Sequence, residues 1–91
     1  MGEASREVTI VNKRGLHARA SAKFVNSVSS MEGCSVVVAK DGQEAAGGSI
    51  LGLMMLGAAR GDVVTLLVSG DQAEARLAEL VAMVETGFGE D

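Results

Sequence analysis

The chain changes its hydrophobic period abruptly at His17, and that switch constrains the fold more than any other feature of its 91 residues. Before it, REVTIVN sets Val8, Thr9, Ile10 and Val11 in a β-branched run bounded by NKRG, the pattern of a strand. After it, Ser21, Phe24, Val25, Val28 and Met31 recur at steps of three and four, which puts them on one face of a helix over about 18–30. Glu32-Gly33 ends that helix, with Gly33 able to take the left-handed conformation at its terminus. CSVVVAK, DG and QEAA then read as a hairpin whose Asp41-Gly42 suits a tight two-residue turn. In GGSILGLMML, Ser49 is a candidate N-cap for a short helix that Gly52 and Gly57 keep from growing. GDVVTLLVSG reads as a buried strand between glycines. Asp71 and Glu74 have capping-box spacing ahead of a last helix with Ala73, Leu77, Leu80, Val81 and Val84 on one stripe.

The order β-α-β-β-α-β-α, with no linker or internal repeat, predicts one domain over 1–91 with a core at about 6–87. Antiparallel pairing of four strands with the helices on one face buries both long helical stripes and gives a two-layer α+β domain. Pattern alone leaves the strand order open.

A content of 47% hydrophobic residues is enough for a modest core without metals or disulfides, and the single Cys34 forms no internal disulfide. MGEASREV lacks the layout of a secretory signal, so the expected location is the cytoplasm. AAGGSILGLMMLGAA is too short and too glycine-rich for a membrane span. A net charge of −4 and the absence of Trp and Tyr argue against a nucleic-acid partner. The charge is unevenly spread: Arg6, Lys13, Arg14, Arg19 and Lys23 fall within 6–23, whereas 71–91 carries six acids and one arginine. The sole histidine stands in the positive part of an acidic chain.

His17 sits at the expected start of the first helix, where unpaired N–H groups and a partial positive charge offer an anion site, with Arg19 two residues on. A histidine and an arginine at this spacing are by themselves more often a solvated surface. A metal site lacks a second histidine, and no serine is seated beside His17 to make a hydrolase triad. Gly47 and Gly52 have the glycine spacing of a phosphate loop, but Leu53-Met54 follows where Lys-Ser/Thr is required, which excludes nucleotide binding. Ile50, Leu51, Leu53, Met54, Met55 and Leu56 cannot all face inward from so short a helix, so some form an exposed apolar patch.

GLHARASAKFV, followed some thirty residues later by GGSILGLMMLGAARGD, closely resembles the histidine-containing phosphocarrier family, HPr, of the bacterial phosphoenolpyruvate:sugar phosphotransferase system. The resemblance covers about residues 6–87 and implies an open-faced β-sandwich, a four-stranded antiparallel sheet covered by three helices. It further implies that His17 accepts a phosphoryl group on Nδ1 from phospho-Enzyme I and passes it to a IIA domain, with Arg19 attending the phosphate. Ser49 matches the serine that an HPr kinase/phosphorylase modifies in some lineages, and Ile50, Leu51 and Met54 match the hydrophobic docking surface. A monomeric carrier, not a turnover enzyme, with no cofactor or metal of its own is implied.

Ala20 stands where the family usually has proline, and Asn26, Ser29 and Gly52 stand where many members have lysines, which thins the basic ring around the site. Two other readings stay open: a carrier of the nitrogen-related branch feeding a regulatory IIA protein, and a small regulatory domain that binds its partner without phosphorylation.

Overall fold

The computed structural model describes residues 2–90. Its elements are β1 (Gly2–Thr9), α1 (Ala18–Ser29), β2 (Cys34–Lys40), β3 (Gln43–Ala46), α2 (Ile50–Met55), β4 (Val63–Gly70) and α3 (Ala73–Glu85), followed by a 3-10 turn, Gly87–Gly89. The strands form one antiparallel sheet in the order β1-β4-β2-β3. The fold is the expected open-faced β-sandwich. No helix among the described residues is long and apolar enough to cross a membrane.

Side chains alternate across the sheet. Val8 opposite Val64, Val38 opposite Leu66 and Val36 opposite Val68 are all buried on the helix-covered face. Ile10, Phe24, Leu53, Leu80 and Val84 complete the core between the two layers. The opposite face carries Ser5, Ser35, Val37, Glu44 and Leu67 along a shallow groove. At the β2–β3 hairpin, Asp41 and Gly42 both have positive φ, as the two-residue turn requires.

Three local expectations are corrected. β1 starts at Gly2, ahead of Arg6, because an edge strand with one solvated face accepts the polar run GEASRE and so gives no hydrophobic signal. The strand ends at Thr9, although Ile10 still exchanges backbone hydrogen bonds with Gly61 and Asp62. Gly33 does not close α1, which ends at Ser29 with Ser30 as its C-cap; the positive φ of Gly33 instead shapes the turn into β2. The Asp71–Glu74 capping box does not form. The N-cap of α3 is Gln72, left-handed and without a side-chain cap bond, while the backbone of Asp71 is held at the start of β2 by Gly33 O and the Cys34 thiol. A cap is worth about 1 kcal/mol. Burial of Leu77, Leu80, Val81 and Val84, at roughly 1.5–3 kcal/mol each, outweighs its loss.

Candidate functional site

His17 is delivered by a loop with little freedom. Gly15 N–H donates to Asn12 O, and Leu16 N–H donates to Ala58 O at 2.9 Å, which presses the loop against the segment after α2. Gly15 has φ +63, and a Cβ there would lie 2.2 Å from Ala58 O, so only glycine fits on both counts. Asn12 is buried under the loop and its Nδ2 donates to Gly15 O at 2.8 Å.

The chain enters α1 with His17 extended at the N-cap, its carbonyl accepting from Ser21 N–H. The imidazole performs the cap: Nδ1 accepts from the backbone N–H of Arg19 at 3.3 Å. Histidine is an unusual cap residue, since Ser, Thr, Asp and Asn normally serve. Here it turns one specific ring nitrogen toward the partial positive end of the helix.

The other ring nitrogen meets the far end of the chain. Nε2 lies 2.9 Å from Glu90 Oε2 and 3.1 Å from Oε1. With Nδ1 accepting and a carboxylate at Nε2, the arrangement selects the tautomer that carries its proton on Nε2. Glu90 is brought there by Gly87, Phe88 and Gly89, all with positive φ, the Phe88 ring being buried as an anchor. Lys23 Nζ on α1 donates to Phe88 O at 2.8 Å, and Asn12 Nδ2 donates a second bond to Glu90 Oε1 at 3.1 Å. With two acceptors at Nδ2 the amide orientation is set, and the buried Asn12 Oδ1 has no donor among the described residues. The hydrogen bond from His17 holds the Glu90 carboxyl below its ordinary range; desolvation opposes this, while the Asn12 bond and the Lys23 charge assist.

His17, Gly89 and Glu90 share an open hollow with Lys13, Arg14, Arg19 and Lys23. Lys13, Arg14 and Arg19 are exposed and form no ion pair with the described residues. An unprotonated ring nitrogen, helix amides and three unneutralised cations together suit a phosphate-sized anion. The groove on the open sheet face offers neither a cation nor a nucleophilic ring.

His17 and Arg19 are thus brought together as the motif implies. Ser49 is the N-cap of α2, its Oγ accepting from Gly52 N–H at 3.0 Å. Ile50, Leu51 and Met54 are 41%, 68% and 41% exposed, while Leu53 and Leu56 turn into the core. Met55, the most exposed of the group, extends the same surface. Asn12 and Glu90 stand out in no motif; only the folded chain brings them to His17, Glu90 from 73 positions away.

The family model described as the PTS HPr component phosphorylation site matches residues 4–86. The chain belongs to the HPr family. It is 45% identical to the phosphocarrier protein HPr of Neisseria meningitidis over 93% of this chain and 94% of that one. It is 38% identical to the phosphocarrier protein NPr of Shewanella violacea over 99% and 98%. The crystal structure of HPr-C-His from Thermoanaerobacter tengcongensis superposes with a TM-score of 0.87 at 40% identity, covering 100% of this chain and 99% of that one. This HPr-family chain keeps the family fold end to end and, within it, a histidine held between a helix terminus and a carboxylate.

Proposed function

We propose that this HPr-type phosphocarrier carries its phosphoryl group on Nδ1 of His17, taking it from phospho-Enzyme I and giving it to a IIA domain. One observation carries the assignment: Nδ1 accepts from the first-turn amide of α1 while Nε2 is held by Glu90, so the nitrogen with the available lone pair is the one facing the amides and Arg19. The lone pair gives up its hydrogen bond to Arg19 N–H and attacks phosphorus, a new N–P bond forms as the donor's breaks, and the electron pair leaves with the donor nitrogen. Arg19 and the α1 amides hold the transferred oxygens. The chain is a carrier within the relay and not an enzyme that turns over substrate, and it works as a cytoplasmic monomer.

Enzyme I and the IIA domain dock on the exposed Ile50, Leu51 and Met54 surface of α2. Ser49, at the edge of that surface, is the site at which an HPr kinase/phosphorylase acts. The test is incubation of the full chain with phosphoenolpyruvate and Enzyme I. Acid-labile phosphate on the chain supports the proposal. Its absence favours a regulatory domain that works without phosphorylation.

The NPr relative, alike over nearly the whole length, favours a second reading, a carrier of the nitrogen-related branch. Offering the phosphorylated chain to a sugar-specific and a regulatory IIA protein side by side separates the branches.

A further inference from the structure

We infer that Glu90 is a positioning residue for phosphoryl transfer: its carboxylate, 2.9 Å from His17 Nε2, keeps the ring proton on Nε2 and stabilises the cationic ring formed when Nδ1 is phosphorylated. This rests on the assignment of His17 as the acceptor.

The site is built for that contact. Two groups distant in sequence hold the segment in place, Lys23 Nζ on the Phe88 carbonyl and Asn12 Nδ2 on the carboxylate itself. Phe88, buried yet left-handed, adopts a conformation that non-glycine residues avoid, and it does so where the chain must turn Glu90 back toward the imidazole. The carboxylate is only partly exposed, so its interaction with Nε2–H is less screened than that of a surface pair.

The chemistry follows from the two ring nitrogens. Free imidazole distributes its proton between them, and a ring protonated on Nδ1 has no lone pair for phosphorus. A carboxylate at Nε2 removes that unproductive tautomer. When Nδ1 bonds to phosphorus, the Nε2 proton stays on the ring, which now bears a positive charge opposite the Glu90 carboxylate. Lys13, Arg14, Arg19 and Lys23 also face the hollow and favour the incoming phosphoryl oxygens while opposing a cationic ring. Among the described residues Glu90 is the acid that lines the hollow with them, and its carboxylate faces the ring nitrogen that keeps the proton.

The test compares the full chain with Glu90→Gln and Glu90→Ala. Glutamine retains an oxygen that accepts from Nε2–H but carries no charge; alanine removes both. Long-range proton–nitrogen NMR of the His17 ring, with no phosphate donor present, reports the tautomer. It should show Nε2–H in the unaltered chain and in Glu90→Gln, and a mixture in Glu90→Ala. Phosphorylation by a phosphohistidine donor should slow by about tenfold in Glu90→Gln and further in Glu90→Ala, the loss expected for a charge-assisted hydrogen bond. A melting transition in Glu90→Gln that stays well above the assay temperature excludes unfolding as the cause. An Nε2–H tautomer that persists in Glu90→Ala, or an unslowed Glu90→Gln, overturns the inference about Glu90. Failure of the unaltered chain to take up phosphate overturns the acceptor assignment instead, and the tautomer measurement still decides the role of Glu90.

Discussion

The backbone N–H of Arg19 donates to Nδ1 of His17 at 3.3 Å, while the Arg19 side chain stands exposed and without an ion pair among the described residues. Residue 19 thus has two separable duties, an amide that aims the ring and a guanidinium left free for an anion. Arg19→Ala should keep the fold and the ring orientation yet slow phosphoryl transfer in both directions by about 10- to 100-fold, since a charge-assisted hydrogen bond of roughly 1.5–3 kcal/mol is lost. Lysine should restore only part, lacking the planar fork. Stopped-flow phosphorylation by Enzyme I measures this, and wild-type rates in Arg19→Ala would remove the guanidinium from the site.

Leu51 is 68% exposed, so Leu51→Glu should leave the melting temperature nearly unchanged while weakening association with both Enzyme I and a IIA domain. Leu53, fully buried on the inward side of the same helix, is the control: Leu53→Ala should cost about 2–5 kcal/mol of stability. Calorimetry for binding and thermal melts for stability separate the two. A large loss of stability in Leu51→Glu would contradict the exposed placement.

Ser49→Ala removes the oxygen that accepts from Gly52 N–H and should cost about 0.5–2 kcal/mol, whereas Ser49→Asp preserves a cap and should melt close to the unaltered chain. The aspartate places a charge beside Ile50 and Leu51, so phosphorylation of His17 by Enzyme I should slow. High salt should partly restore the rate if the defect is electrostatic. Equal rates for Ser49→Asp and the unaltered chain at low salt would leave Ser49 as a helix cap alone.

Glu90 gives the fold an acid-sensitive element. Its carboxyl is lowered in the folded state, chiefly by the hydrogen bond from His17, so the folded chain binds that proton less readily than the unfolded chain does. The stabilisation is therefore complete above the ordinary value of 4.5 and is lost as pH falls through the lower folded value. Urea melts from pH 6 to pH 3 should show a shallower acid decline in Glu90→Gln than in the unaltered chain. Parallel declines would mean that this carboxyl contributes nothing to the acid limb.

The long stripes were the most legible part of the fold. All five residues assigned to the inner face of α3 are buried, and Ser21 and Phe24 lie inward on α1, because burial of a periodic stripe is what stabilises a surface helix. Strand order was not legible, since alternation records which face is buried and not which strand is the neighbour. The polar end of β1 gives no strand signal for the same reason: Glu3, Ser5 and Glu7 line the solvated side of an edge. Of the site, His17 and Arg19 could be read because they share one helix terminus. Glu90 could not, because its place depends on three successive left-handed residues, Gly87, Phe88 and Gly89, and a Phe in that conformation has no signature in sequence. Asn12 was hidden similarly: its amide matters through bonds to Gly15 O and Glu90, neither of which a linear pattern records.

The central claim is that Nδ1 of His17 receives the phosphoryl group. It is tested most directly by phosphorylating the full chain with phosphoenolpyruvate and Enzyme I and recording phosphorus–nitrogen couplings in a nitrogen-labelled sample, with His17→Ala alongside. The account predicts one N–P bond, at Nδ1 of His17, and no phosphate on His17→Ala. Phosphate on Nε2, or undiminished labelling of His17→Ala, would contradict it.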